Sequence, residues 1–175
     1  MKKPLLFGAL GLGALVAAVV IAEKKRQPAT GTQPNPQAPA TTDQTIRIAA
    51  SPAKVWQVLS AINQWPTWQP DIIAAHLNGP LQPGTSFDWQ ASGLTIHSTL
   101  HTVEPGRALG WAGDAFGASA VHNWTLTPHA GYTEVHVAES MEGWLVSVLK
   151  PFFQPGLTAS ITRWLAWLKQ TAEKA

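Results

Sequence analysis

The chain has 175 residues, a formal net charge of +2, nine Trp and no Cys. Five of its 12 basic residues (Lys2, Lys3, Lys24, Lys25 and Arg26) flank the first apolar run, which leaves seven basic against eight acidic residues from Gln44 onward. That near-neutral balance argues against a nucleic-acid surface, and the lack of Cys excludes disulfides, thiol chemistry and Cys-based zinc sites.

The uncharged run from Pro4 to Ala22 matches the ~20 residues that a bilayer core requires. Residues 1–26 therefore read as a single-pass N-terminal membrane anchor, with a cleaved signal peptide as the alternative. Residues 27–43 (QPATGTQPNPQAPATTD) have no apolar period and read as a disordered tether. An anchor followed by such a tether places the domain, residues 44–175, on the extracytoplasmic side.

Thr45 to Ala49 alternates as a first strand. Ser51 and Pro52 then supply an N-cap and a first-turn proline for a short helix carrying Val55, Val58, Leu59 and Ile62. In Trp65-Pro66-Thr67-Trp68-Gln69-Pro70 the two prolines permit a single helical turn at most, which plugs one end of a sheet. Three hairpins follow, with turns at Ser92-Gly93, Pro105-Gly106 and Pro128 to Gly131. Their expected pairings are Trp89 with Ile96 and Phe87 with Ser98, then Leu100 with Trp111 and Thr102 with Leu109, then Trp124 with Val135, His122 with Val137 and Ala120 with Glu139. Apolar residues at helical spacing resume at Trp144, are broken by Pro151 and Pro155, and end in a helix whose stripe is Leu157, Ile161, Trp164, Leu165 and Leu168. The fold class is α+β: a curved antiparallel sheet wrapped around a long C-terminal helix, with short helices after the first strand and an apolar cavity between sheet and helix.

The face that lines this cavity is expected to carry Phe87 and Trp89, then Ile96 and Leu100, then Trp111, Trp124, Val135 and Val137. The helix adds Ile161, Trp164 and Leu165. His122 and Glu139 point inward as diagonal neighbours, placed either to act as a general acid/base pair or to form a structural hydrogen bond. His97 and His101 share the outer face with Asp88. A strand spreads such a pair over about 13 Å, so they read as solvated side chains and no metal is expected. Phe152 and Phe153 are placed to flank the entrance, and Trp167 lies off the helical stripe.

Several short patterns carry a family resemblance: Ile48-Ala49-Ala50-Ser51-Pro52 with Val55, Trp56 and Leu59; Trp65, Trp68 and Pro70; Val103-Glu104-Pro105 leading to Trp111; His122 with Trp124 and Leu126; and Thr133-Glu134-Val135 running to Glu139 and Gly143. In this order they resemble the START-like or SRPBCC helix-grip superfamily, in its polyketide cyclase/dehydrase-like branch, across Gln44 to Glu173. The resemblance implies a deep apolar pocket for a lipid, sterol, polyketide or other hydrophobic small molecule, in a superfamily where only some members are enzymes. The leading reading is a membrane-tethered, non-enzymatic binding domain that needs no cofactor. One alternative is a cyclase or dehydratase, a lyase or isomerase, that uses His122 and Glu139. Another is a Trp-rich module that grips a protein or the membrane surface.

Overall fold

The computed structural model describes residues 30–174. Seven strands form one antiparallel sheet: β1 (Ala40–Ile48), β2 (Ile72–Leu77), β3 (Ser86–Ala91), β4 (Leu94–Glu104), β5 (Ala108–Ala115), β6 (Ala118–His129) and β7 (Tyr132–Glu142). Their spatial order is β1-β7-β6-β5-β4-β3-β2. Helix α1 (Pro52–Ser60), a 3-10 turn (Ile62–Gln64) and the single turn α2 (Trp65–Trp68) lie between β1 and β2, whereas α3 (Trp144–Val148) and α4 (Lys150–Lys174) follow β7. This is the α+β helix-grip arrangement. The anchor read over residues 1–26 lies outside the described residues, and among the described residues no helix is long and apolar enough to cross a membrane.

Local chemistry accounts for the helix starts. The Ser51 hydroxyl accepts from the Lys54 amide, Pro52 occupies the first turn, and Val55 and Leu59 are buried. In α4, Pro151 sits in the first turn, where its missing amide costs nothing. Pro155 falls inside the helix, so one continuous α4 runs from Lys150 and the chain breaks at Leu149 instead of at the prolines. The expected stripe of Leu157, Ile161, Trp164, Leu165 and Leu168 is buried against the sheet.

Register holds at the first hairpin and shifts at the other two. Ser92 and Gly93 both take positive φ, as a two-residue turn of this hand requires, and Trp89 pairs with Ile96 and Phe87 with Ser98 as expected. Beyond Pro105-Gly106-Arg107, Val103 opposes Leu109 and Thr102 opposes Gly110, while Leu100 still opposes Trp111. The expected Thr102–Leu109 pair is corrected by a bulge at His101: the extra residue absorbs a three-residue turn and brings Val103 to the inner face. At the third hairpin, β6 runs through Pro128 to His129, and the turn is Ala130-Gly131. Each expected pair there slips by two, so Trp124 faces Val137, Leu126 faces Val135, Ala120 faces Met141 and His122 faces Glu139 directly. An even slip keeps every side chain on its face.

Strand β1 starts at Ala40, inside the stretch read from composition as tether. Residues before it also make contacts: Asn123 Nδ2 donates to the Thr32 carbonyl at 3.0 Å, and the Asn35 backbone amide donates to Ser140 Oγ at 2.9 Å. Both partners lie on the outer sheet face, so the chain crosses that face before turning into β1. Composition alone misses this because the hydrogen bonds use backbone atoms that any residue has.

β1 is an edge strand, and side chains of α4 occupy its free backbone groups. Gln154 Nε2 donates to Thr41 O at 2.8 Å while the Thr41 amide donates to Gln154 Oε1 at 3.0 Å. Lys169 Nζ donates to Arg47 O at 2.7 Å, and the Ala49 amide donates to Glu173 Oε1 at 2.8 Å. An edge covered this way cannot template pairing with another chain. Lys169 and the Ala49 amide hold the Glu173 carboxyl below its ordinary value. The contribution of Glu173 to stability is therefore complete above the ordinary glutamate value of 4.5 and fades as pH falls through the lower folded value. In denaturant titrations, wild type should exceed Glu173→Gln at neutral pH and converge with it in acid. A gap that widened on acidification would contradict this.

Candidate functional site

Between the sheet and α4 lies a cavity of about 460 Å³. Its inner end is aromatic. Trp65, fully buried, packs edge-on against Phe87 at 5.6 Å, Trp89 at 6.1 Å and Trp164 at 5.3 Å, and it lies 5.5 Å from Trp111. The indole N–H of Trp65 donates to the Leu59 carbonyl at 2.8 Å, which ties α1 to this centre. Gly113 lines the cavity on β5 and packs against β4 so closely that a Cβ there would lie 2.6 Å from Ser98 Oγ.

His122 and Glu139 share this inner end. Their side chains are 3% and 10% exposed, and His122 Nδ1 lies 3.0 Å from Glu139 Oε2. The imidazole is stacked on Trp111 at 4.3 Å and on Trp124 at 5.4 Å, with Trp164 edge-on at 5.5 Å. Its Nε2 is buried without a hydrogen-bond partner, as is the indole nitrogen of Trp164. A buried polar atom left unpaired is costly, and both residues line the cavity.

The cavity is lined by Trp89, Ile96, Trp111, His122, Glu139, Ile161 and Trp164 among the residues expected from sequence. Phe87, Leu100, Trp124, Val135, Val137 and Leu165 are buried in the core and do not line it. For them, inward orientation and cavity contact diverge because neighbouring aromatic rings fill the space. Phe152 and Phe153 do line it, and exposed Phe116 and Phe152 mark the mouth together with Arg163, whose Nε lies 2.8 Å from Asp71 Oδ2. Sequence reasoning missed Phe116, Met141, Asp71 and Arg163. Continued β7 alternation could have found Met141, but no pattern links Asp71 to Arg163 across 92 residues.

On the outer face, His97 Nδ1 lies 2.5 Å from Asp88 Oδ1, and hydrogen bonds from Asn78 and His97 hold the Asp88 carboxyl below its usual range. His101 instead turns over Gly110, and burial pushes its imidazole down. Among the described residues, no group of three or more His, Asp or Glu could hold a metal.

Residues 39–173 match the family model described as polyketide cyclase / dehydrase and lipid transport. No curated protein matches the chain. Among solved structures, a hypothetical protein of Helicobacter pylori is similar at a TM-score of 0.71 and 15% identity, over 84% of this chain and 99% of that one. The di-domain ARO/CYC StfQ of the steffimycin biosynthetic pathway is similar at 0.66 and 13% identity, over 77% of this chain and 51% of its own. A START superfamily protein of Mycobacterium smegmatis is similar at 0.58 and 15% identity, over 77% and 94%. At these identities the likenesses speak for the fold.

Proposed function

From a chain that belongs to the polyketide cyclase / dehydrase and lipid transport family, we infer a domain that binds a hydrophobic small molecule between sheet and C-terminal helix, held at a membrane by its N-terminal apolar segment. The observation that carries this reading is the cavity itself, about 460 Å³ and walled largely by aromatic and aliphatic side chains. That volume lies in the lower part of the ~300–1,000 Å³ range of small-molecule sites and suits one ring system or a single acyl chain. Native mass spectrometry of the gently purified chain should show a co-purifying hydrophobic mass. Ala120, on the cavity wall opposite Met141, gives a blocking variant. Ala120→Phe should lower affinity for a hydrophobic probe at least tenfold, read by Trp emission. Unchanged affinity would place the ligand elsewhere.

Membrane attachment rests on the apolar run Pro4 to Ala22. The full chain should sediment with membranes after alkaline carbonate extraction, whereas a chain starting at residue 30 should be released. Release of both would remove the anchor from the reading.

The His122–Glu139 geometry favours a second reading, a cyclase or dehydratase. His122 lines the apolar cavity, and with Nδ1–H donating to the Glu139 carboxylate its Nε2 keeps a lone pair. There it could take a proton from carbon next to a substrate carbonyl and later return it to a leaving hydroxyl. A defined product from a polyketide-like substrate, lost in Glu139→Gln, is the result this reading requires. The third reading, an interaction module without a cavity, has less support now that a cavity is on hand and Trp167 is only 37% exposed.

A further inference from the structure

We propose that the mouth end of the domain rests on the bilayer, with the exposed apolar side chains around the cavity opening set into the head-group layer. The proposal rests on the anchor reading above and adds which end of the domain meets the lipid.

Two independent observations carry it, and the first is an apolar rim. Leu94 at the start of β4, Phe116 on the β5–β6 turn and Phe152 in the first turn of α4 all line the cavity and are all exposed, Phe116 by 53% and Phe152 by 75%. Val148 and Leu149, also exposed, stand at the break from α3 to α4, between cavity-lining Leu145 and Phe152. Of the seven exposed large hydrophobic side chains among the described residues, these five surround one opening. An exposed apolar cluster of this kind marks a surface that meets something other than water.

The second observation is where the chain joins the domain. Gly31 lies over Val121 so closely that a Cβ there would be 3.3 Å from Val121 Cγ2, and hydrogen bonds tie Thr32 to Asn123 and Asn35 to Ser140. At ~3.3 Å per strand residue, Val121 is about 10 Å from the mouth end of β6 at Ala118 and about 26 Å from its other end at His129. Residues 27–29 alone separate this docked run from Arg26, at the basic flank of the apolar segment, and fully extended they bridge about 14 Å. An anchor in the bilayer therefore brings the mouth end closer to lipid than the opposite end.

So short a connection makes the contact intramolecular, and a rim too small to hold a free protein on a membrane suffices here. Charge around the opening is mixed, with Lys150 and Arg163 against Asp71 and Asp114. The contact thus draws on the apolar side chains and needs no anionic lipid.

The chain has no Cys, so one introduced Cys carries one label. Full-length Val148→Cys and Ala130→Cys, each bearing a nitrobenzoxadiazole and reconstituted in phosphatidylcholine vesicles, report on the mouth and on the opposite β6–β7 turn. Spin-labelled phosphatidylcholine should quench the label at 148, whose emission should shift to the blue, and should leave the label at 130 as it is in water. Adding Phe116→Ser and Phe152→Ser to Val148→Cys should abolish the quenching while the chain still floats with the vesicles. If the chain floats and the label at 148 is quenched no more than the one at 130, docking by the mouth is overturned and the anchor stands. Shielding of the label at 148 in host-cell membranes but not in phosphatidylcholine would overturn it in favour of a membrane protein as the partner. A full chain that does not float with the vesicles would sink the anchor reading and the docked mouth together.

Discussion

Trp65→Ala should lower stability by about 3–5 kcal/mol, the range for emptying a large aromatic side chain from a packed core. The indole is fully buried, meets four aromatic rings and holds the Leu59 carbonyl through its N–H. Removing it opens a void that the rigid sheet cannot close, and it leaves a buried carbonyl unpaired. Because domains of this size are stable by only about 5–15 kcal/mol, a loss on that scale removes much of the margin. In thermal unfolding the midpoint should fall by roughly 10 °C or more. Trp65→Phe keeps most of the ring contacts and should lose clearly less. If the alanine variant melted within a degree or two of wild type, the aromatic centre would not be what holds α1 and α2 to the sheet.

The second large effect concerns the pair in the cavity. Glu139→Leu keeps the volume but strips His122 Nδ1 of its acceptor in a site that water scarcely reaches. Breaking a buried pair from one side typically costs about 3–5 kcal/mol, because the surviving partner stays buried and uncompensated. Adding His122→Phe removes that survivor and restores a flat ring between Trp111 and Trp124. The double variant should therefore be more stable than Glu139→Leu alone. Urea unfolding of wild type, both single variants and the double variant measures the coupling. Strictly additive losses would show that the two groups sit close together without depending on each other.

Much of the architecture was legible in the chain, and particular residues show where legibility stopped. The period of α4 from Leu157 to Leu168, the Ser51-Pro52 helix start and the Ser92-Gly93 turn follow from local sterics and burial, so each could be read without knowing the rest. The slips arose where one residue upsets a count. His101 is an ordinary strand residue until a three-residue turn forces a bulge beside it. Pro128 argues against a ladder position, having no amide to donate, yet β6 carries it to His129. β2 lacks a clean alternation because its register shifts between Ile72 and Ala74. At the site, the inward face was readable from parity, and parity survived the two-residue slip that brought His122 opposite Glu139. Which inward residues reach open space was not readable. That depends on how rings from α2, β3, β5 and α4 fill the volume, a property of the assembled set.

The way α4 covers β1 has a consequence for how this sequence can vary. Gln154, Lys169 and Glu173 address the carbonyls and amides of Thr41, Arg47 and Ala49, atoms that persist whatever side chain stands at those positions. Tolerance to substitution is thus unequal across the contact. These three backbone positions keep the contact with any residue that is not proline, whereas each of the three helix positions depends on one particular functional group.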